Sequence, residues 1–220
     1  MKILAHDLEV KMNKLKLIIS FLLVSIFMPI STYGGVDKTA CKRFVTNPDK
    51  VNYEKCSDII NHALSENIEK TEIVSIKNDF INDYKTFNTF LKLIRESNLY
   101  AIELALKLYP LLEGGNSEDL FGQVSMLIKD HPNLILTTIE KNKIRDINVI
   151  SKIISSFPID EFVDKLDKRI SETEDRITAL KSVNDIELIP LRDQCIAILS
   201  NYLKRLNEIK KSLTDTSRGK

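Results

Sequence analysis

The sequence predicts an all-α protein: a multi-helix bundle or short helical-repeat-like stack, closed by a C-terminal antiparallel αα-hairpin. Three observations lead there. Beyond residue 34, apolar residues recur every three or four positions along most of the chain, the period of a helix with one buried face. Glycine and proline number only six each in 220 residues, too few to punctuate many short strands. Two heptad-like seams end the chain: Val163, Leu166, Ile170, Thr173, Ile177 and Leu180, then Cys195, Leu199, Tyr202, Leu206, Ile209 and Leu213. That is the pattern of two long helices laid side by side.

Residues 1–34 read as a signal peptide. Lys11, Lys14 and Lys16 precede a 14-residue apolar run from Leu17 to Ile30, and Thr32-Tyr33-Gly34 offers a small-x-small cleavage site. The run is shorter than the ~20 residues that span a bilayer comfortably. Met12 begins a more ordinary signal peptide than Met1 does, so the first eleven residues read as preceding the true start. The expected location is periplasmic or secreted, with no membrane span left after cleavage.

Setting aside the leader's four lysines and two acidic side chains leaves 28 basic against 29 acidic groups. No basic surplus follows a phosphate backbone, so nucleic acid is not an expected partner. An oxidising compartment makes the cysteines informative. Cys41 and Cys56 flank the turn signal Asn47-Pro48-Asp49 and are expected to form a disulfide that pins an N-terminal arm to the first helix. Cys195 lies within an apolar helical pattern and reads as a small core residue.

The elements follow in order. Tyr53, Cys56, Ile60, Ala63 and Leu64 predict a helix from about Asn52 to Glu66. Thr71–Ile76 alternates like a strand, but no partner strand is evident, so Ile68–Ile76 is read as helix or extended connection. From Asn78 an aromatic-rich helix carries Phe80, Tyr84, Phe87, Leu91 and Ile94. Ser97 or Asn98 caps the next, Leu99 to Leu112, which is apolar on more than one face and shortened by Pro110. Gly114-Gly115 breaks the chain. Asn116-Ser117 then supplies a cap for a helix with Leu120, Val124, Leu127 and Ile128 inside, ended by His131-Pro132. Short helices follow over Pro132–Glu140 and Arg145–Phe157. Residues 35–157 thus form the arm and helical stack. Residues 158–214 form the hairpin, turning near Asn184 and packing on the same core, and 215–220 a frayed tail.

Chemical motifs are sparse. Asp58, His62 and Glu66 share a helix face, which is too few converging ligands for a metal site. His131 sits at a helix end, where a cation near the last carbonyls is favourable. The run Ser171-Glu-Thr-Glu-Asp-Arg176 reads as the wet face of a helix. No His-Glu-x-x-His, Gly-x-Ser-x-Gly, P-loop or dinucleotide fingerprint is present. No catalytic residue, metal or cofactor is therefore expected. The functional expectation is an exported, non-catalytic domain that binds another protein, an immunity protein against a secreted toxin being one specific form. A second copy of the chain, meeting through the hairpin, is another candidate partner. Two alternatives stand beside it: a carrier or sensor holding a small apolar ligand along Phe80, Tyr84, Phe87 and Phe90, and an enzyme whose site no motif reveals.

Overall fold

A computed structural model describes residues 37, 39–64, 76–112, 114–158, 162 and 165–218. The leader, its two candidate starts, Thr71–Ser75, Glu66 and Val163 lie outside the described residues. Nine α-helices, and no strand, occur among the described ones: α1 Ala40–Thr46, α2 Lys50–Ala63, α3 Tyr84–Arg95, α4 Leu99–Leu108, α5 Gly115–Met126, α6 Pro132–Lys141, α7 Ile147–Ser155, α8 Leu166–Lys181 and α9 Ile189–Arg218. A π-helical turn, Lys77–Ile81, precedes α3, and a 3₁₀ turn, Tyr109–Leu111, follows α4.

Each helix of the first seven packs against the one two places on: α1 on α3, α2 on α4, α3 on α5, α4 on α6 and α5 on α7. The odd helices therefore form one layer and α2, α4 and α6 the other, as in a helical-repeat stack. The hairpin of α8 and α9 closes the end of that stack. α9 packs on α7 and α6, and α8 packs on α6, so the last helix of each layer is covered. Hairpin residues Ile177, Leu180, Leu191, Cys195 and Leu199 belong to the same buried core as Phe44 at the other end of the chain.

Short polar side chains start four of these helices. Asp49, Asp83, Asn98 and Asp146 each accept a hydrogen bond from a backbone N–H in the first turn, satisfying donors that the helix itself leaves open. Asp83 explains why the apolar stripe from Phe80 to Ile94 is not one helix. Its carboxylate accepts from the Lys42 ammonium at 2.9 Å, from Thr86 N at 3.3 Å and from Thr86 Oγ1 at 3.0 Å. The Lys42 bond, followed by those from Thr86, holds its pKa down at about 2. A cap of that quality begins a new helix instead of continuing the old one.

Two other boundaries differ from expectation. The predicted arm is itself helical, because Ala40, Cys41, Phe44 and Val45 form an apolar face that α1 buries. The helix after the glycine pair begins at Gly115, so Asn116 and Ser117 lie within its first turn. Gly114 does the capping with its backbone: at a φ of 62° its carbonyl accepts from Ser117 N and Glu118 N, a conformation glycine adopts without a Cβ clash.

The disulfide joins Cys41 on α1 to Cys56 on α2, fifteen residues apart. Reducing it, or replacing both cysteines with serine, is expected to cost about 3 kcal/mol in the chain-entropy account of a loop this size. Urea unfolding with and without dithiothreitol measures the difference. Because Cys195 is buried, the intact protein has no accessible thiol among the described residues to start disulfide exchange.

Candidate functional site

Most of the sequence-singled residues turn out to be structural. Cys195 is wholly buried in α9, and desolvation pushes its thiol up to about 12, which leaves it a poor nucleophile. Asp58 and His62 lie exposed on α2, and no cluster of three metal-binding side chains occurs among the described residues. His131 does not close α5; it is the residue that begins α6, its N–H bonded to the Leu127 carbonyl and its own carbonyl accepting from Ile135. A cation there would meet the positive end of the helix dipole, opposite to the expectation. Of the aromatic set, Phe80, Phe87 and Phe90 are core residues. Phe80 packs edge-on to Phe90 at 4.9 Å between centroids, whereas Tyr84 is 82% exposed. The break at Asp83 turns Tyr84 away from the other three, so the four do not line one cavity.

Buried polar side chains tie the helices together, and none of these ties was read from the sequence. In the even layer, Glu103 of α4 accepts from Tyr53 Oη of α2 at 2.5 Å and from the Lys141 ammonium of α6, so one carboxylate links all three helices. Lys107, one turn on, reaches Ser57 Oγ at 2.5 Å. Burial and the neighbouring Glu103 raise the pKa of the Tyr53 hydroxyl, which therefore stays a donor.

The larger surprise lies in the acidic run of α8. Glu172, Thr173 and Arg176 are buried, and Arg176 completely so, which corrects the reading of this stretch as a wet face. Arg176 Nη1 donates to the carbonyls of Ile154 and Ser156, both at 3.0 Å. These two carbonyls belong to the end of α7, where a helix leaves its acceptors open. The guanidinium carbon also lies 4.2 Å from the Phe157 ring centroid, a cation–π contact, and Nη2 lies 3.1 Å from Met126 Sδ of α5. Burial lowers its pKa to about 10, against the pull of Glu172, so it is still charged at neutral pH. Arg176 thus fastens the hairpin to both α7 and α5.

That anchor fixes what the far end of the hairpin presents. α9 has 30 residues against 16 in α8, roughly 45 Å against 24 Å at 1.5 Å per residue. The apolar seam of α9 stays covered through Cys195, Leu199 and Leu206. It then emerges into solvent at Ile209 and Leu213, which are 49% and 60% exposed. Lys210 pairs with Asp167 at 2.7 Å, level with the first turn of α8, and α9 continues beyond that level. Lys165, Leu166, Asp167, Lys168, Lys210, Leu213 and Thr214 line a groove of about 500 Å³ there. Counting Lys165–Lys168 and Lys204–Asp215 together, this end has six basic side chains against three acidic, although the chain beyond the leader is nearly neutral.

No known protein family, curated protein or solved structure matches this chain. Among the described residues, no helix is long and apolar enough to cross a membrane.

Proposed function

We propose that this chain is an exported, non-catalytic domain that works by binding another protein, with the distal end of its hairpin as the contact surface. The observation that carries the proposal is the seam of α9, which runs out from under α8 and leaves Ile209 and Leu213 uncovered at a groove lined by three lysines and one aspartate. Apolar residues continued in heptad register beyond their cover are the usual form of a helical docking strip. The basic surroundings favour an acidic partner. The Cys41–Cys56 disulfide supports export, because such bonds persist in oxidising compartments. An immunity protein against a secreted toxin is one form of this role. The packed Phe80, Phe87 and Phe90 cluster favours it over an apolar-ligand carrier.

The test is comparative. The full chain and an Ile209→Asp/Leu213→Asp variant are expressed with a C-terminal tag in a Gram-negative host, recovered from the periplasm and weighed intact by native mass spectrometry. Both substitutions are at exposed positions, so the thermal melt should be unchanged. A polypeptide held in fixed ratio by the wild type and lost from the variant is the expected result. The same polypeptide on both would move the contact elsewhere. A chain that came out alone in both cases would end the protein-binding reading.

A further inference from the structure

The hairpin and the end of α7 enclose a second concave feature, separate from the distal groove. It is a cleft of about 440 Å³ whose lining includes Glu118, Phe157, Pro158, Phe162, Arg169 and Tyr202. Its apolar part is aromatic. Phe157 packs against Phe162 at 4.7 Å between centroids, and Tyr202 stacks on the other partner, Phe157, at 6.2 Å and 28°.

Its polar part holds Arg169 and Tyr202 together with Glu118, Ser155 and Ser156. Arg169 Nε is buried and has no hydrogen-bond partner. Its guanidinium carbon lies 5.5 Å from the Phe157 ring centroid. Tyr202, in the same lining, brings a second donor, its hydroxyl. Nearby Arg176 differs in part: its Nε is likewise without a hydrogen-bond partner, but its Nη1 donates to two carbonyls, and its guanidinium carbon lies 4.2 Å from the same Phe157 ring centroid. A guanidinium normally finds a carboxylate, carbonyl or phosphate. A buried guanidinium Nε without a partner and a phenol hydroxyl, set against aromatic faces in one cleft, form half of a recognition site.

We infer that this cleft binds a carboxylate borne on an aromatic or branched apolar group. Arg169 and Tyr202 would take the carboxylate oxygens, and Phe157 and Phe162 the apolar body. Arg169 offers the planar pair of N–H groups that a carboxylate fits. The volume suits a ligand of roughly one to two amino-acid residues, within the lower range of ordinary small-molecule sites. Phosphate is the poorer candidate, since only one cation lines the cleft and a second negative charge would face the Glu118 carboxylate that also lines it. The same chemistry occurs in a free aryl or branched-chain acid and in the C-terminal residue of a peptide.

Amide chemical shifts of the full, disulfide-intact chain, followed during titration, test the inference with three pairs of probes. They are 3-phenylpropionate with its amide, N-acetylphenylalanine with its amide, and Gly-Gly-Phe with its C-terminal amide. Saturable binding of the acids at a Kd on the order of 0.1–1 mM is expected, with each amide at least ~10-fold weaker. Arg169→Met and Tyr202→Phe should each weaken the acids by about fivefold or more and leave the weak amide binding unchanged. Tighter binding of Gly-Gly-Phe than of phenylpropionate would assign the cleft to a peptide C-terminus, and the reverse order to a free acid. Acids and amides binding alike, or no saturation by ~10 mM, would overturn the inference. The acid–amide comparison is made on the unaltered protein, so it holds even if a variant folds poorly.

Discussion

Arg176→Ala is expected to lower the unfolding free energy by about 3–5 kcal/mol, the range for breaking a buried charged network by removing one partner. Four losses combine. The Ile154 carbonyl loses its donor from Arg176 at the end of α7, and a buried acceptor left unpaired costs about 1–3 kcal/mol. The Ser156 carbonyl suffers less, since Ser125 Oγ still donates to it at 2.5 Å. Glu172, only 8% exposed, loses the cation 3.7 Å away and is left with Lys129 at 3.8 Å. The Phe157 face is uncovered as well. Arg176→Met separates the polar part from the packing part: its chain refills most of the volume but donates nothing, so its cost should be smaller, about 1–3 kcal/mol. Urea unfolding followed by circular dichroism measures both. A change below ~1 kcal/mol for Arg176→Ala, within the range of ordinary surface substitutions, would show that α8 is held by its apolar seam alone.

Gly122→Ala should be comparably damaging, at about 4 kcal/mol, above the common range for overpacking. Gly122 lies in the middle of α5, and a Cβ there would stand 2.5 Å from Pro158 N and 2.7 Å from the Phe157 carbonyl carbon. Both obstacles are backbone, so no rotamer change relieves them; the segment after α7 has to move. Helix propensity points the other way, because alanine is better than glycine in a helix by about 1 kcal/mol. The sign of the measured effect therefore decides between local propensity and the tertiary approach. Moving residues 157 and 158 would also disturb the Phe157 ring, which faces both Arg169 and Arg176. Weaker carboxylate binding in the same variant is the accompanying expectation. A neutral or stabilising substitution would mean that α5 and this segment can separate at little cost.

The parts of the fold legible in the sequence are those with a local cause. Leu166, Ile170, Thr173, Ile177 and Leu180 repeat at helical spacing whatever lies opposite them, and Asn98 caps its helix through a backbone N–H three residues on. Asp83 does so too, but its role as a helix start was hidden by Phe80 and Tyr84, which fall in phase across it by coincidence. The arm became a helix for a related reason: Ala40, Cys41, Phe44 and Val45 make only one turn or two of pattern, too short to read without the α2 and α3 surfaces that bury them.

The two candidate sites were far less legible. Arg169 and Tyr202 are 33 positions apart in sequence, and Arg176 is indistinguishable by composition from the solvated arginines of any charged helix. One faint signal existed. Arg176 follows Thr173 by three residues and adjoins Ile177, so it borders the apolar seam and does not lie opposite it. Gly122, in the interior of an otherwise good helix, was another, since a glycine there usually marks a close approach.

By itself the sequence determined that this protein is helical, where most of its helices lie, which cysteines could close a short loop, and that its last two helices pair. Those properties depend on hydrogen bonds and hydrophobic spacing within some ten to twenty residues. Only the tertiary structure decided which polar groups are buried and which donors are left without acceptors. That depends on what arrives opposite each side chain: the open carbonyls ending α7 meet Arg176, while Arg169, two turns earlier on α8, meets a cleft.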